Sequence, residues 1–270
     1  MTLTIATWNI NSIRIRMGIV TDFLDRYRPD VLCLQEIKRP PDQFPRGPFV
    51  ERGYRHILIN GQKGYHGVAI ISRLPFVDTS LRGFCGKGDA RHAAALVRDG
   101  DGSEITIHNF YVPAGGDEPD PAINEKFAHK LAFIDEMRGW LTGSETDRKA
   151  VLVGDLNIAP YENDVWSHKQ LLNVVSHTPV ETTGLEAVRE SGGWVDAIRS
   201  FIPLDRKVYT WWSYRAADWE ASDRGRRLDH IWVTPHLASR LTEIDILRAA
   251  RGWTRPSDHV PVLATISATG

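Results

Sequence analysis

Cysteine is scarce in this chain, which has only Cys33 and Cys85 among 270 residues. Two cysteines cannot form a disulfide framework, and a chain of this length can bury a core large enough to need none. A reducing compartment is therefore the default, and the cytoplasm is the expected location. Cys33 lies within the apolar run Val31–Leu34 and reads as a buried free thiol. Long apolar runs are absent too. None approaches the ~20 residues that span a bilayer, so no membrane contact is expected. The run Leu3–Trp8 begins almost at Met1 with no basic segment ahead of it, unlike a secretory leader. Neither sign of charge is in excess: the net charge is −1. That balance neither supports nor excludes nucleic-acid binding, because an acidic site can be offset by a local basic rim. No short repeat and no low-complexity tract is present. The Pro-rich stretch Arg39–Pro48 and the Gly/Pro-rich stretch Pro113–Pro121 are flanked by strand-like runs, so they read as loops rather than linkers. One domain over residues 1–270 is expected.

What the chain does have is a succession of short apolar runs. Leu3–Trp8, Val31–Leu34, His56–Ile59, Val68–Ile71, Ala94–Val97, Ile105–Phe110, Val151–Val153, His230–Val233, Ile244–Leu247 and Val262–Ile266 read as strands. The segment Ile105–Tyr111 suggests alternating exposure, whereas Val151–Val153 reads as buried on both faces. Ile13, Met17, Val20, Leu24 and Tyr27 keep helical spacing, and Pro29 stops that helix. Ile123, Phe127, Leu131, Ile134 and Leu141 define a second helix ending near Gly143. A third, weaker pattern covers Thr183–Glu190. Many strands with few helices predict a layered α/β sandwich.

Polar residues stand directly beside several of these runs. Asn9 and Asn11 follow the first, Gln35 and Glu36 the second, Tyr111 the run from Ile105, and Asp155 with Asn157 the run from Val151. Asp258 and His259 precede the last. Any one of them alone is an ordinary turn or surface residue. If the strand ends meet at one edge, however, they form an oxygen-rich cluster suited to a hard divalent cation.

Their order along the chain carries a resemblance. Thr7-Trp-Asn-Ile-Asn-Ser-Ile-Arg14, Leu34-Gln-Glu-Ile-Lys38, Tyr65-His-Gly-Val-Ala-Ile70, Asn109-Phe-Tyr-Val-Pro113, Val153-Gly-Asp-Leu-Asn-Ile158, Tyr209-Thr-Trp-Trp-Ser-Tyr-Arg215, Gly225-Arg-Arg-Leu-Asp229 and Ser257-Asp-His-Val-Pro-Val262 occur in sequence. Together they resemble the exonuclease III family of the endonuclease/exonuclease/phosphatase superfamily. The resemblance runs from Ile5 to Val262. It implies a four-layer α/β/β/α sandwich of two packed β-sheets flanked by helices. It implies a metal-dependent DNA phosphodiesterase of base-excision repair, cutting 5′ to abasic sites and trimming 3′ ends. The partner would be double-stranded DNA with abasic sites or blocked 3′ ends, the cofactor Mg²⁺ or Mn²⁺, and the enzyme a monomer, nucleoid-associated if bacterial.

The resemblance also assigns residues. It implies Glu36 as a direct metal ligand with Asn9 and Asp258 beside it, and a wider metal set that includes Asp155, Asn157 and His259. Asp155 would handle the proton of the water or the leaving group, and Asn157 would orient the nucleophile or bind phosphate. His259, oriented by Asp229, would hydrogen-bond a phosphate oxygen, and Tyr111 would contact the phosphate. Trp211, Trp212 and Leu228 would wall a pocket for an extruded deoxyribose, with Asn11 and Arg226 also on the substrate. Arg14, Arg73, Arg91, Arg224, Arg226 and Arg227 are candidates to line the duplex backbone. The chain departs from many relatives at Ala114, where an amide is usual. Gly115–Asp120 is acidic where some relatives are basic, and Arg226 replaces an apolar or aromatic residue. The shared phosphoester chemistry leaves two alternatives: a superfamily phosphatase or phospholipase, and a catalytically silent binding module. The Trp211-Trp212 and Arg226-Arg227-Leu228-Asp229 segments favour the DNA branch.

Overall fold

The strands lie where the chain can be covered on both faces. The computed structural model describes residues 2–144, 148–216 and 218–267. Two six-stranded sheets form the centre. The first runs β13 (Leu241–Ile246), β14 (Val262–Ser267), β1 (Thr2–Asn9), β2 (Val31–Gln35), β4 (Val68–Ser72), β3 (His56–Asn60). The second runs β5 (Phe76–Leu81), β6 (His92–Arg98), β7 (Glu104–Tyr111), β8 (Ala150–Asp155), β12 (Asp229–Val233), β9 (Val195–Asp196). A short ribbon pairs β10 (Trp211–Trp212) with β11 (Gly225–Arg226). One parallel pair sits inside each sheet, β1 with β2 and β7 with β8. Such pairs need crossovers, and helices Ile13–Tyr27 and Glu125–Ser144 lie within them.

Three apolar layers hold the four-layer sandwich together. Between the sheets, Ile5, Val31, Cys33 and Ile70 meet Ala95, Ile107, Val153 and Ile231. Outside the first sheet, Val20, Phe23 and Leu24 of the first helix pack on Trp8, Leu32 and Leu34. Outside the second, Phe133, Met137 and Leu141, with Leu185 and Val188 of helix Pro179–Ser191, cover Phe110, Leu152 and Trp232. Each large apolar side chain so buried contributes about 1.5–3 kcal/mol. This is the expected α/β/β/α architecture.

Strand register decides where the polar ends fall. Asn9 lies opposite Gln35, Tyr111 opposite Asp155, and Asp155 opposite Asp229. Because β12 and β14 run antiparallel to their neighbours, their beginnings share an edge with the endings of β1, β2, β7 and β8. Close strand approach there requires Gly154: with φ 143°, a Cβ would come within 1.9 Å of the Phe110 carbonyl oxygen. Just below that edge, Gln35 Nε2 donates to Asn109 Oδ1 across the sandwich at 2.7 Å. Asn109 Nδ2 donates to the carbonyls of Leu34 and Ala69 at 3.0 and 2.9 Å.

Several readings shift. Strand β5 has no counterpart in the apolar pattern because most of its side chains are exposed at the sheet edge. The expected alternation in Ile105–Tyr111 is absent beyond Thr106, since helix Glu125–Ser144 covers the outer face. Ile123 lies before that helix and is 74% exposed. The third helix begins at Pro179, where Thr178 and Glu181 form a capping box. Arg73, a candidate for the duplex, follows β4 at the end of the sheet away from the polar edge, because Ser72 pairs with Val31.

Arg227 is likewise removed from any duplex. Its guanidinium is fully buried, donating to both oxygens of Asp164 at 2.8 Å and to Asp196 Oδ2 at 2.7 Å. This clamp fixes the segment that leads into Leu228 and Asp229. Replacing Arg227 with Met would leave buried carboxylates short of their counter-charge, at a cost of about 3–5 kcal/mol. We expect a clear fall in the urea midpoint for Arg227→Met. A loss below about 1 kcal/mol would mean that the clamp behaves like an exposed ion pair.

Candidate active site

The converging strand ends form one hydrogen-bonded cluster. Asn9 at the end of β1 is fully buried, and its Nδ2 donates both to Glu36 Oε1 at 3.0 Å and to Asp155 Oδ2 at 2.8 Å. One amide therefore bridges carboxylates carried by the two sheets. Asn11 N donates to Asn9 Oδ1, and Asn11 Nδ2 donates to Asp258 Oδ1 at 3.1 Å. Asn157 donates to Asp155 through its backbone N–H at 2.9 Å and its Nδ2 at 3.2 Å. His259 faces two acids, with Nδ1 2.8 Å from Asp229 Oδ2 and Nε2 3.6 Å from Asp155 Oδ2. The other Asp229 oxygen is buried without a hydrogen-bond partner among the described residues. Asn11, Glu36 and Asn157 have φ values of 44°, 50° and 53°. Left-handed backbone at non-glycine residues is uncommon, and here it aims three side chains into one cluster.

Burial sets much of the electrostatics. Burial pushes the Asp155 carboxyl up to about 7, with Asp229 and Glu36 adding to the shift and His259 and Asn9 opposing it. For His259, burial works against the charged form, but Asp229 and Asp155 outweigh it and raise the imidazole to about 10. A protonated ring pinned between two acids results. Burial would also raise Glu36, yet the Lys38 ammonium 2.8 Å from Oε2 holds it below its ordinary value. Asp258 is lowered too: His259 and hydrogen bonds from Trp211 and Asn11 overcome its burial. Two ionised carboxylates thus share the edge. The Tyr111 hydroxyl is held well above its usual range by burial and by the nearby Glu36 and Asp155 carboxylates, so it keeps its proton.

The cluster forms the floor of a cleft of about 710 Å³. Trp211 and Leu228 line the cleft, and Trp211 Nε1 also donates to Asp258 Oδ2 at 3.0 Å. Trp212 does not line it. Consecutive strand residues face opposite ways, and Trp212 turns into the core against Tyr209 and Trp219 with 1% exposure. Trp166, which the sequence reading did not select, stands in the wall instead. The position of Arg226 changes that wall as well. Its guanidinium lies 5.4 Å from the Trp211 ring centroid and donates to Ser176 Oγ at 2.7 Å, while Arg224 lies 4.7 Å from the Trp166 ring. Arg91 is buried, paired with Asp89, and 5.0 Å from the Tyr111 ring. It supports the tyrosine rather than offering a free charge at the rim. Asn11 and Arg14 open onto an adjoining groove with Arg16, Lys38, Arg39 and Lys63. Opposite, Ala114, Gly116 and Asp117 bring the acidic loop to the cleft. Lys38 was also missed as a site residue, although its place two residues after Glu36 was the available signal.

Residues 6–259 match the model of the Endonuclease/Exonuclease/phosphatase family. Exodeoxyribonuclease III of Haemophilus influenzae is 29% identical over 267 residues, an alignment covering 96% of this chain and 97% of that protein. An AP endonuclease from Archaeoglobus fulgidus has a similar solved structure, with a TM-score of 0.89 and 34% identity. The match covers 98% of this chain and all of that one. A 3′ phosphatase from Neisseria, solved with a product DNA hairpin, matches with a TM-score of 0.89 and 31% identity, covering 98% of this chain and 99% of its own. Relatives that align from end to end, under a family model that spans the first strand through the site histidine, lead to one assignment: the chain belongs to the Endonuclease/Exonuclease/phosphatase family and is a hydrolase.

Proposed function

We propose that this chain is a DNA phosphodiesterase of base-excision repair that cuts 5′ to abasic sites and trims 3′ ends, acting as a monomer on duplex DNA. The observation that carries this reading is the pairing of a proton-handling group, Asp155 beside His259 and Asp229, with an aromatic and apolar wall in one cleft. Relatives named as exodeoxyribonuclease III and AP endonuclease support it. Free cysteines, one fully buried, agree with a reducing cytoplasm or nucleoid.

The family is metal-dependent, and the donor set fits a hard cation. Glu36 and Asp258 remain anionic and are joined through the Asn9 and Asn11 amides, which gives a group of oxygen donors. An ammonium already sits on this cluster, since Lys38 Nζ contacts both Glu36 and Asn11. Glu36, with Asn9 and Asp258, would hold Mg²⁺ or Mn²⁺. A bound cation supplies charge relief on the phosphate and on the leaving oxygen. Asp155 accepts the proton of the attacking water, its raised affinity suiting it to neutral pH. His259 donates from Nε2 to a phosphate oxygen and places positive charge where negative charge grows. Asp229 fixes that ring, Tyr111 donates its hydroxyl to the phosphate, and Asn157 holds Asp155 in place.

Metal dependence is tested first. EDTA should abolish cleavage, Mg²⁺ or Mn²⁺ should restore it, and Glu36→Ala should raise the metal concentration needed. Full activity in chelator would overturn the proposed cation site. For the chemical step, Asp155→Asn should lower the single-turnover rate by about 10²–10⁴-fold while duplex affinity survives. A rate within a fewfold of wild type would remove Asp155 from the proton transfer.

Substrate choice gives a third expectation. A nucleotide without a base has already lost stacking and pairing, a saving of a few kcal/mol on extrusion. The wild type should therefore cut duplexes containing one abasic site faster than matched intact ones, and Trp211→Ala should reduce that ratio when both proteins are compared at saturating metal, since Trp211 also donates to Asp258. A wild-type ratio near one would reject the sugar-pocket reading and leave a 3′-end exonuclease.

A further inference from the structure

Lys130 is fully buried, on a helix whose other buried residues, Phe127, Phe133, Ile134, Met137 and Leu141, are apolar. Its ammonium donates to the carbonyl of Asn157 at 2.8 Å and to that of Ala114 at 3.2 Å, and pairs with Glu181 Oε1 at 2.5 Å. Burial alone makes such a charge costly, so its retention calls for full compensation and a reason. Compensation comes from Glu181, itself fully buried. The Glu181 carboxylate also accepts the N–H groups of Ser176 and Thr178 at 2.9 and 3.1 Å and the Thr178 hydroxyl at 2.7 Å. Ser176 in turn receives Arg226 in the cleft wall.

We propose that Lys130 is a positioning residue for the reaction assigned above, acting through Asn157. The connection runs through covalent geometry. Asn157 takes a left-handed backbone, which alone would be disfavoured. Its side chain and backbone N–H both point at Asp155, and its carbonyl points away, toward Lys130. A charge-assisted bond on that carbonyl fixes the peptide plane and with it the direction of the amide that holds Asp155. The same ammonium tethers Ala114 in the loop on the other side of the cleft, where the expected side-chain amide is missing. Gly115 leaves room for the passage, since a Cβ there would lie 2.9 Å from Lys130 Cδ. One buried cation thus ties the loops after β7 and β8 together and, through Glu181, ties both to the wall carrying Arg226.

The inference rests on the proposed phosphodiesterase reading, and a double-mutant cycle separates the two. Lys130→Met combined with Glu181→Gln removes both charges at once and avoids an orphaned buried ion. Single-turnover rates are measured for wild type, this paired variant, Asn157→Ala and all three changes together. The substrates are an abasic duplex and bis(p-nitrophenyl) phosphate, with duplex affinity read by anisotropy in EDTA. The paired variant should lose about ten- to a hundredfold in rate on both substrates, the range for residues that orient a site from behind. Duplex affinity should stay within about twofold, and in the Asn157→Ala background the further loss should shrink to less than about threefold. Lys130→Gln, which keeps a donor for the Asn157 carbonyl, should recover part of the rate. It enters the same cycle if the paired variant melts below the assay temperature. An unchanged rate, a loss confined to affinity, or losses that multiply independently of Asn157 would overturn the proposal. A wild type that cleaves only the small diester would instead refute the DNA reading, while the cycle still reports on Lys130.

Discussion

The hydrogen bond between Gln35 and Asn109 is the contact on which the geometry of the site depends. Two twisted sheets packed through methyl groups have no inherent register, because dispersion contacts are individually small and non-directional. The Gln35 donation to Asn109, together with the bonds from Asn109 to Leu34 and Ala69, is directional and lies between fully buried side chains. A mismatched amide there would forfeit these hydrogen bonds in a buried setting, where an unpaired polar group is costly. These contacts therefore fix the relative position of the sheets within hydrogen-bond tolerance, directly below Asn9 and Asp155. The Asn9 bridge from Glu36 to Asp155 can then form, because the two carboxylates arrive on different sheets at the right separation.

Charge is distributed around this point with a clear division of labour. The cluster itself holds Glu36, Asp155, Asp229 and Asp258, offset by a protonated His259 and by Lys38 at the edge. Away from it, buried ion pairs serve position. Arg227 grips Asp164 and Asp196 to set the approach to Asp229, and Lys130 with Glu181 holds the loops across the cleft. Each is a place where hydrophobic residues of similar size would fill the space but supply no direction. The basic groove beside Asn11 and the acidic loop opposite make the surroundings of the cleft asymmetric.

Residues beside the site were legible to different degrees. Asn9, Glu36, Tyr111 and Asp155 follow apolar runs and Asp258 and His259 precede one, which marks them as polar residues at strand ends; their roles, and the choice of Asp229, come from the order of motifs that carries the family resemblance. Trp212 was misplaced because a tryptophan pair in sequence gives no sign of which ring faces inward; that depends on the pleat of a two-residue strand. Arg227 was read with its neighbours as a possible phosphate contact because its acidic partners lie 63 and 31 residues away in the chain. Trp166, Lys130 and Glu181 had no local signal of a role. The Thr178 and Glu181 capping box is a signal for the helix start that the Thr183–Glu190 reading passes over, and it gives no sign that its glutamate serves a second, distant partner.

The sequence by itself determined the layered α/β class, most strands, the two crossover helices and the ordered set of polar residues at strand ends. It could do so because burial on one or two faces imposes periods of two and 3.6 on the chain, and because a polar residue after a buried run must emerge at an edge. Only the tertiary structure decided which edges coincide, which of two adjacent tryptophans lines the cleft, and which arginines are internal. Those outcomes depend on sheet register and on pairings between residues far apart in sequence. For the arginines and the coincident edges the deciding energy is a directional bond in a low-dielectric interior, for the tryptophan pair it is the pleat and the apolar core behind it, and local sequence encodes neither geometry.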